Sequence, residues 1–194
     1  MNEQTTSLNR GLKRDQIIQA AFELFRENGF YATGVDLIMR TAKVSKRTLY
    51  KYFPTKNELI ISVLEYYRSE YKKHLTDLLD RSDQSGRKKI LSIFEDAEKW
   101  FGDTQFHGCL AVNAMAEFSG KDAAIEDSCQ CFKRWELGML ERLAREAGAR
   151  ESKQLAFKLF ILLEGMASIA QVSNGKSPVD ITQMADRLVG EYVD

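Results

Sequence analysis

The chain has 194 residues, 44% hydrophobic and 29% charged, which excludes a disordered or collagen-like polypeptide. Twenty-eight basic residues balance twenty-eight acidic ones, so no global field draws the protein toward nucleic acid or an acidic surface. Only Pro54 and Pro178 obstruct helices, and Lys158 and Glu164 interrupt the most apolar stretch, "LAFKLFILLEGMASIA". A cytoplasmic chain with no signal peptide, no membrane span and mostly helical structure is therefore expected.

In "RDQIIQAAFELFRENGF" the residues Ile17, Ile18, Ala21, Phe22 and Phe25 recur at helical spacing, and Gly29 supplies a stop. Thr33 with Asp36 three residues later resembles a capping box and predicts a short second helix to about Ala42. Ser45 is a good N-cap for a third helix, which must end before Phe53 and Pro54. Thr55 and Glu58 form a second capping box, opening a fourth helix through Leu59, Ile60, Val63, Leu64 and Tyr67. Short helix, tight turn, short helix is a helix-turn-helix pattern.

After the polar break "RSDQSGR", a helix carries Ile90, Ile93, Phe94, Ala97 and Phe101 inward. Gly102 and Gly108 bracket a link to "CLAVNAMAEF", and a long helix should run from about Ala123 to Ala147, stopped by Gly148. The segment from Ser152 to Val172 is apolar around most of its circumference, and "VDITQMADRLVGEY" puts Ile181, Met184, Ala185, Leu188, Val189 and Tyr192 on one stripe. Two terminal helices of this kind suit a four-helix homodimer interface, although a helix buried within one monomer would carry the same pattern.

Charge is unevenly placed. From Lys43 to Lys56 the ionised side chains are Lys43, Lys46, Arg47, Lys51 and Lys56, with no acid between Asp36 and Glu58. Such a run is the footprint of a nucleic-acid surface or merely a solvated basic face. At about 100° per residue, Leu49 and Phe53 share one face of the third helix, and Arg47 and Lys51 occupy the opposite one. Arg47 suits bidentate readout of a guanine edge, while Lys46, Lys51 and Lys56, with nearby hydroxyls, suit phosphates.

The run "IIQAAFELFRENGFYATGVDLIMRTAKVSKRTLYKYFPTKNELIISVL" resembles the amino-terminal domain of the TetR/AcrR family of one-component regulators, over roughly Arg14 to Tyr67. The resemblance implies a three-helix DNA-binding domain at 10–55 and a helical effector-binding and dimerisation domain at 56–194, about nine helices in all. It implies that Thr33, Ser45, Lys46, Arg47, Thr48, Tyr50, Lys51, Tyr52 and Lys56 meet an operator, with Leu49 and Phe53 structural. Tyr52 has two readings, a ring packed at the helix edge and a hydroxyl offered to phosphate. Lys43 departs from the family, which usually has glycine there, and a positive backbone angle costs lysine more than glycine.

An unknown small-molecule effector would meet Trp100, Phe101, Phe106, His107, Cys109, Asn113, Glu117, Phe132, Trp135, Phe160 and Glu164, a palette an ordinary helical core also uses. Cys109, Asn113 and Glu117 fall at successive i,i+4 offsets within "FHGCLAVNAMAEF", which is similar to a segment in a subset of these regulators. Cys109 beside His107 is either an electrophile or redox sensor or inert packing. Cys129 and Cys131 make neither a metal pair nor a local disulfide, and three cysteines are no disulfide framework.

No phosphate loop, nucleophile elbow, HExxH or CxxC motif occurs, so neither catalysis nor a resident metal or cofactor is expected. The sequence thus points to a homodimeric repressor released from a palindromic operator by an effector. A helical ligand-binding protein without DNA binding is the competing reading, and a small enzyme using Cys109 as nucleophile is a weaker one.

Overall fold

A computed structural model describes residues 3–80, 85–103, 106–173 and 179–193, with side chains from Gly11 onward. Part of the polar break after the fourth helix, at 81–84, and Pro178 lie outside the described residues. Among the described residues there are nine helices and no strand, the all-α architecture read from the sequence. They are α1 (Glu3–Asn28), α2 (Val35–Thr41), α3 (Lys46–Tyr52), α4 (Lys56–Asp80), α5 (Gly86–Phe101), α6 (Leu110–Phe118), α7 (Ala123–Glu146), α8 (Ser152–Ser173) and α9 (Ile181–Gly190).

The chain divides into two compact units. The first comprises Met1–Glu70 and Leu110–Cys129. It is wider than the 10–55 segment expected at DNA, because the start of α4, all of α6 and the start of α7 belong to it. Its core takes Ile17, Ala21 and Phe25 from α1, Ile38 from α2, Leu49 from α3, Ile60 and Val63 from α4 and Ala114 from α6, all almost fully buried. Removing side chains of this size from water is worth roughly 1.5–3 kcal/mol each, which is why a helix as short as α3 holds its shape. Phe25 and Phe30 meet with ring centroids 4.9 Å apart, and Phe118 stands edge-on to Phe30 at 5.9 Å. Gly29, at φ 82, turns the chain out of α1 between these two phenylalanines.

The second unit comprises Tyr71–Cys109 and Gln130–Asp194. Ile90, Ile93 and Phe94 of α5, Leu140 and Leu143 of α7, Leu155, Leu159 and Leu163 of α8, and Ala185 and Val189 of α9 fill its core. Gly86 lies where α5 begins against the end of α7: a Cβ there would stand 2.3 Å from the Ala147 nitrogen. Asp180 caps α9 by accepting from the Gln183 N–H at 2.7 Å, while the Glu98 carboxylate accepts from the next orphan amide, Ile181, at 3.1 Å.

By length and composition α8 is apolar enough to cross a membrane. Leu155, Ala156, Leu159, Leu163, Met166 and Ala170 on one side of it are buried in the unit. Phe157, Ile161, Ile169 and Val172 on the other side remain exposed, as does Met184 of α9.

Candidate nucleic-acid interface and effector residues

The Ser45 side chain accepts from the Thr48 N–H at 3.2 Å, and the two hydroxyls lie 2.9 Å apart, sharing a hydrogen bond. This cap starts α3 in register, and Phe53, extended at φ −135 before Pro54, ends it after seven residues. Leu49 and Phe53 are each 2% exposed, so the apolar back of the helix is committed to the core. Ser45, Lys46, Arg47, Tyr50 and Lys51 are exposed, and Thr48 and Tyr52 are half-buried. Lys46, Arg47 and Lys51 make no ion pair among the described residues. The result is a rigid, acid-free cationic ridge. Tyr52 partly packs its ring, 6.5 Å from Phe53 at 48°, which leaves both of its expected roles available.

Thr55 and Glu58 do form a capping pair: the Glu58 N–H donates to Thr55 Oγ1 at 3.1 Å, and that hydroxyl faces the Glu58 carboxylate at 3.4 Å. The turn between α2 and α3 holds Lys43 at φ 48, the one non-glycine residue with positive φ among those described.

Thr33 corrects the sequence expectation. It is 0% exposed, and its hydroxyl donates inward, 2.7 Å from the Gly29 carbonyl and 3.1 Å from that of Leu24. It does not cap α2, whose N-cap is Gly34 with no side-chain bond, and its hydroxyl is turned into the core. Lys56 is also turned inward. Its ammonium donates to the Phe30 carbonyl at 2.6 Å, and burial lowers its pKa against the opposing pull of Glu117.

Glu117, expected among the effector residues, sits in the first unit. Its carboxylate accepts from the Phe30 N–H at 2.8 Å and from the Tyr31 N–H at 2.7 Å, so it clamps the turn between α1 and α2. Asn113 belongs to the same unit.

In that second unit, Phe132 and Trp135 lie nearly parallel (centroids 6.3 Å, 12°), and Tyr71 stands edge-on to both, at 5.5 and 6.1 Å. Lys133 beside them donates to Glu136 at 2.8 Å and to Glu164 at 2.7 Å. Burial favours the neutral amine, but the negative partners, with Cys109 within electrostatic reach, more than offset it and hold the Lys133 ammonium above its ordinary pKa. Glu136 is only 3% exposed, and its pKa is raised by burial despite Lys133. Tyr71 is pushed well up, first by burial and then by the charge of Glu136.

Trp100, Phe101 and Phe106 form a separate aromatic group, Phe101 to Phe106 being 4.6 Å and Trp100 to Phe106 6.4 Å. The His107 carbonyl accepts from Gln171 at 3.3 Å, and Phe160 packs half-buried against the core. A cleft of about 220 Å³ is lined by Phe101 with Glu98, Met166, Ile169, Ala170, Val179 and Ile181. Of the residues expected to bind an effector, only Phe101 lines it.

Tyr71, Lys133, Glu136 and Glu98 escaped sequence reasoning. Their one signal was a Lys–Glu pair at i,i+3 among the apolar positions of α7, indistinguishable in sequence from a solvated pair. Among the described residues no three His, Cys, Asp or Glu side chains gather as a metal would need.

A family model described as "Bacterial regulatory proteins, tetR family" matches residues 17–63, the segment from α1 into α4 that carries the ridge. The chain is 29% identical over 105 residues to the HTH-type transcriptional repressor NemR of Escherichia coli K12, covering 54% of this chain and 53% of NemR. That match thus spans about half the length of NemR. It is 25% identical over 174 residues to YxaF of Bacillus subtilis 168, an uncharacterized HTH-type transcriptional regulator, covering 88% of this chain and 91% of YxaF. The crystal structure of reduced E. coli NemR superposes with a TM-score of 0.81 at 23% identity, covering 94% of this chain and 97% of that one, a likeness of fold.

Proposed function

We propose that this chain, whose residues 17–63 match the tetR family of bacterial regulatory proteins, is a cytoplasmic, homodimeric transcriptional repressor of that family that a small-molecule effector releases from its operator. The observation that carries the reading is the ridge of α3: Lys46, Arg47, Tyr50 and Lys51 exposed without carboxylate partners, on a helix whose Leu49 and Phe53 fix it to the core. A short helix of this build fits a major groove, and two copies read a two-fold-symmetric site.

The second copy would cover the exposed apolar residues of α8 and Met184 of α9. Phe157, Ile161, Ile169 and Val172 form a patch too apolar for a solvent face to need, the composition expected at the centre of a permanent interface. The effector would bind the second unit, near the 220 Å³ cleft or the Phe132–Trp135 aromatics, in a form that sets the two DNA-binding heads at the wrong spacing.

Arg47→Ala tests the reading. On the operator selected by the wild-type protein it should lose about 1–3 kcal/mol of discrimination between the cognate and a substituted base pair. Unchanged discrimination removes Arg47 from base readout.

A cysteine-sensor reading is the alternative, resting on Cys109 being half-buried and in no disulfide. The thiolate is the reactive form of cysteine. If Cys109 is the trigger, alkylation by a maleimide releases DNA from the wild type and leaves Cys109→Ser bound; equal release from both excludes it.

A further inference from the structure

The turn between α2 and α3 carries a lysine where its geometry favours glycine. The Lys43 N–H donates to the Arg40 carbonyl at 3.2 Å, and the Val44 N–H reaches back to the Met39 carbonyl at 3.0 Å. These two bonds close α2 in a Schellman motif, in which the residue after the C-cap takes a positive φ. Lys43 takes it, at φ 48. A Cβ in this conformation crowds the backbone, which is why glycine is the usual occupant.

Among the described residues no side-chain contact of Lys43 offsets this strain. Lys43 is exposed, and its side chain has no hydrogen bond or ion pair among the described residues. Its cationic surroundings add a second cost. Arg40, Lys46 and Arg47 are all exposed, and no carboxylate occurs in the chain between Asp36 and Glu58. A lysine added to such a set is repelled by its neighbours unless a polyanion lies against them. Strained residues of this kind persist where they serve a binding partner. Lys43 is also well placed for one: two Cα steps, at most about 7.6 Å, separate it from Ser45, the N-cap of α3.

We propose that Lys43 is a DNA-phosphate contact, a cation held in the α2–α3 turn to grip the sugar-phosphate backbone beside the groove that α3 enters. This rests on the DNA-binding reading above. Its ligand is a phosphodiester oxygen, which lysine engages as a flexible point charge. The contact supplies affinity and register on any sequence and leaves the choice of bases to Arg47 and its neighbours.

The test uses the full-length protein with Lys43→Gly, Lys43→Gln and Lys43→Arg, titrated at several salt concentrations against the duplex selected by the wild type and against an unrelated duplex. The glycine variant should resist urea better than the wild type yet bind both duplexes several-fold more weakly. Its slope of log affinity against log salt should be smaller by about 0.9, one phosphate's share. The glutamine variant should show the same binding loss without the gain in stability, and the arginine variant should bind like the wild type. The proposal is overturned if the glycine and glutamine variants keep wild-type affinity and slope while Lys51→Gln loses both. A wild-type protein that binds no duplex in a salt-dependent way overturns the DNA-binding reading itself, and this contact with it.

Discussion

Glu117→Gln should loosen the turn that leads into the helix-turn-helix. In the wild type one carboxylate accepts from two consecutive backbone amides, Phe30 at 2.8 Å and Tyr31 at 2.7 Å. A bond to a charged acceptor contributes roughly 1.5–3 kcal/mol when sheltered from water. The two sites are unequal, since Phe30 is 0% exposed whereas Tyr31 is 58% exposed and can turn its amide to solvent. Glutamine keeps one acceptor oxygen but points an NH2 group at the other amide and gives up the charge on both bonds. The expected loss is about 2 kcal/mol, one sheltered charge-assisted bond with a small addition from the exposed one. Read as local opening, that makes the Phe30 amide exchange its hydrogen about 30-fold faster. Amide exchange followed by mass spectrometry or NMR measures it, and α7 amides serve as an internal reference. Unchanged exchange at Phe30 and Tyr31 would refute the clamp, and equal acceleration throughout the chain would mean global destabilisation instead.

Thr33→Val removes a buried hydroxyl bonded to the Gly29 and Leu24 carbonyls and should cost about 1–2 kcal/mol in urea denaturation, with no change in the salt slope of DNA binding. A reduced slope at unchanged stability would return Thr33 to the DNA surface. Gly86→Ala drives a Cβ to 2.3 Å from the Ala147 nitrogen and 2.6 Å from the Glu146 carbonyl carbon, backbone atoms that cannot rotate away. A loss of roughly 1–3 kcal/mol is expected by the same assay; a neutral result would show that α5 and α7 can separate freely.

Glu136→Gln tests the buried pair through pH. Because burial raises the Glu136 pKa above its ordinary value of 4.5, the folded state holds more protons than the unfolded state once pH passes that value. Stability contributed by the protonated acid is then lost as pH rises toward the folded pKa. The stability of the wild type minus that of the glutamine variant should therefore fall as pH increases above 4.5. A difference that rises would mean that Lys133 dominates and depresses the carboxyl.

Local chemistry was legible in the sequence where the answer lay within a few residues. Ser45 caps α3, Thr55 pairs with Glu58, and Phe53 is pushed out of the helix by Pro54, because each depends only on its near neighbours. Thr33 was misread because two N-cap candidates stand side by side: Gly34 took the cap while the Thr33 hydroxyl found carbonyls four and nine residues upstream. The spacing of Asn113 and Glu117 reveals a shared face of α6 but not what that face meets; the partner of Glu117 is 87 residues away at Phe30. Lys133 and Glu136 carry no mark in the sequence that separates a buried ion pair from a solvated one. Lys43 was legible for the opposite reason, since the demand for a positive φ is local and glycine's absence is visible in the sequence.

The account turns on whether the cations of α3 meet duplex DNA in a symmetric arrangement. Selection of bound sites by the purified protein from a random duplex pool, followed by titration of the enriched sequence at two salt concentrations, tests this most directly. The account predicts an inverted repeat whose half-sites are about one helical turn apart, bound with a slope of several units of log affinity per log salt. Binding without an enriched sequence, or an affinity indifferent to salt, would contradict it.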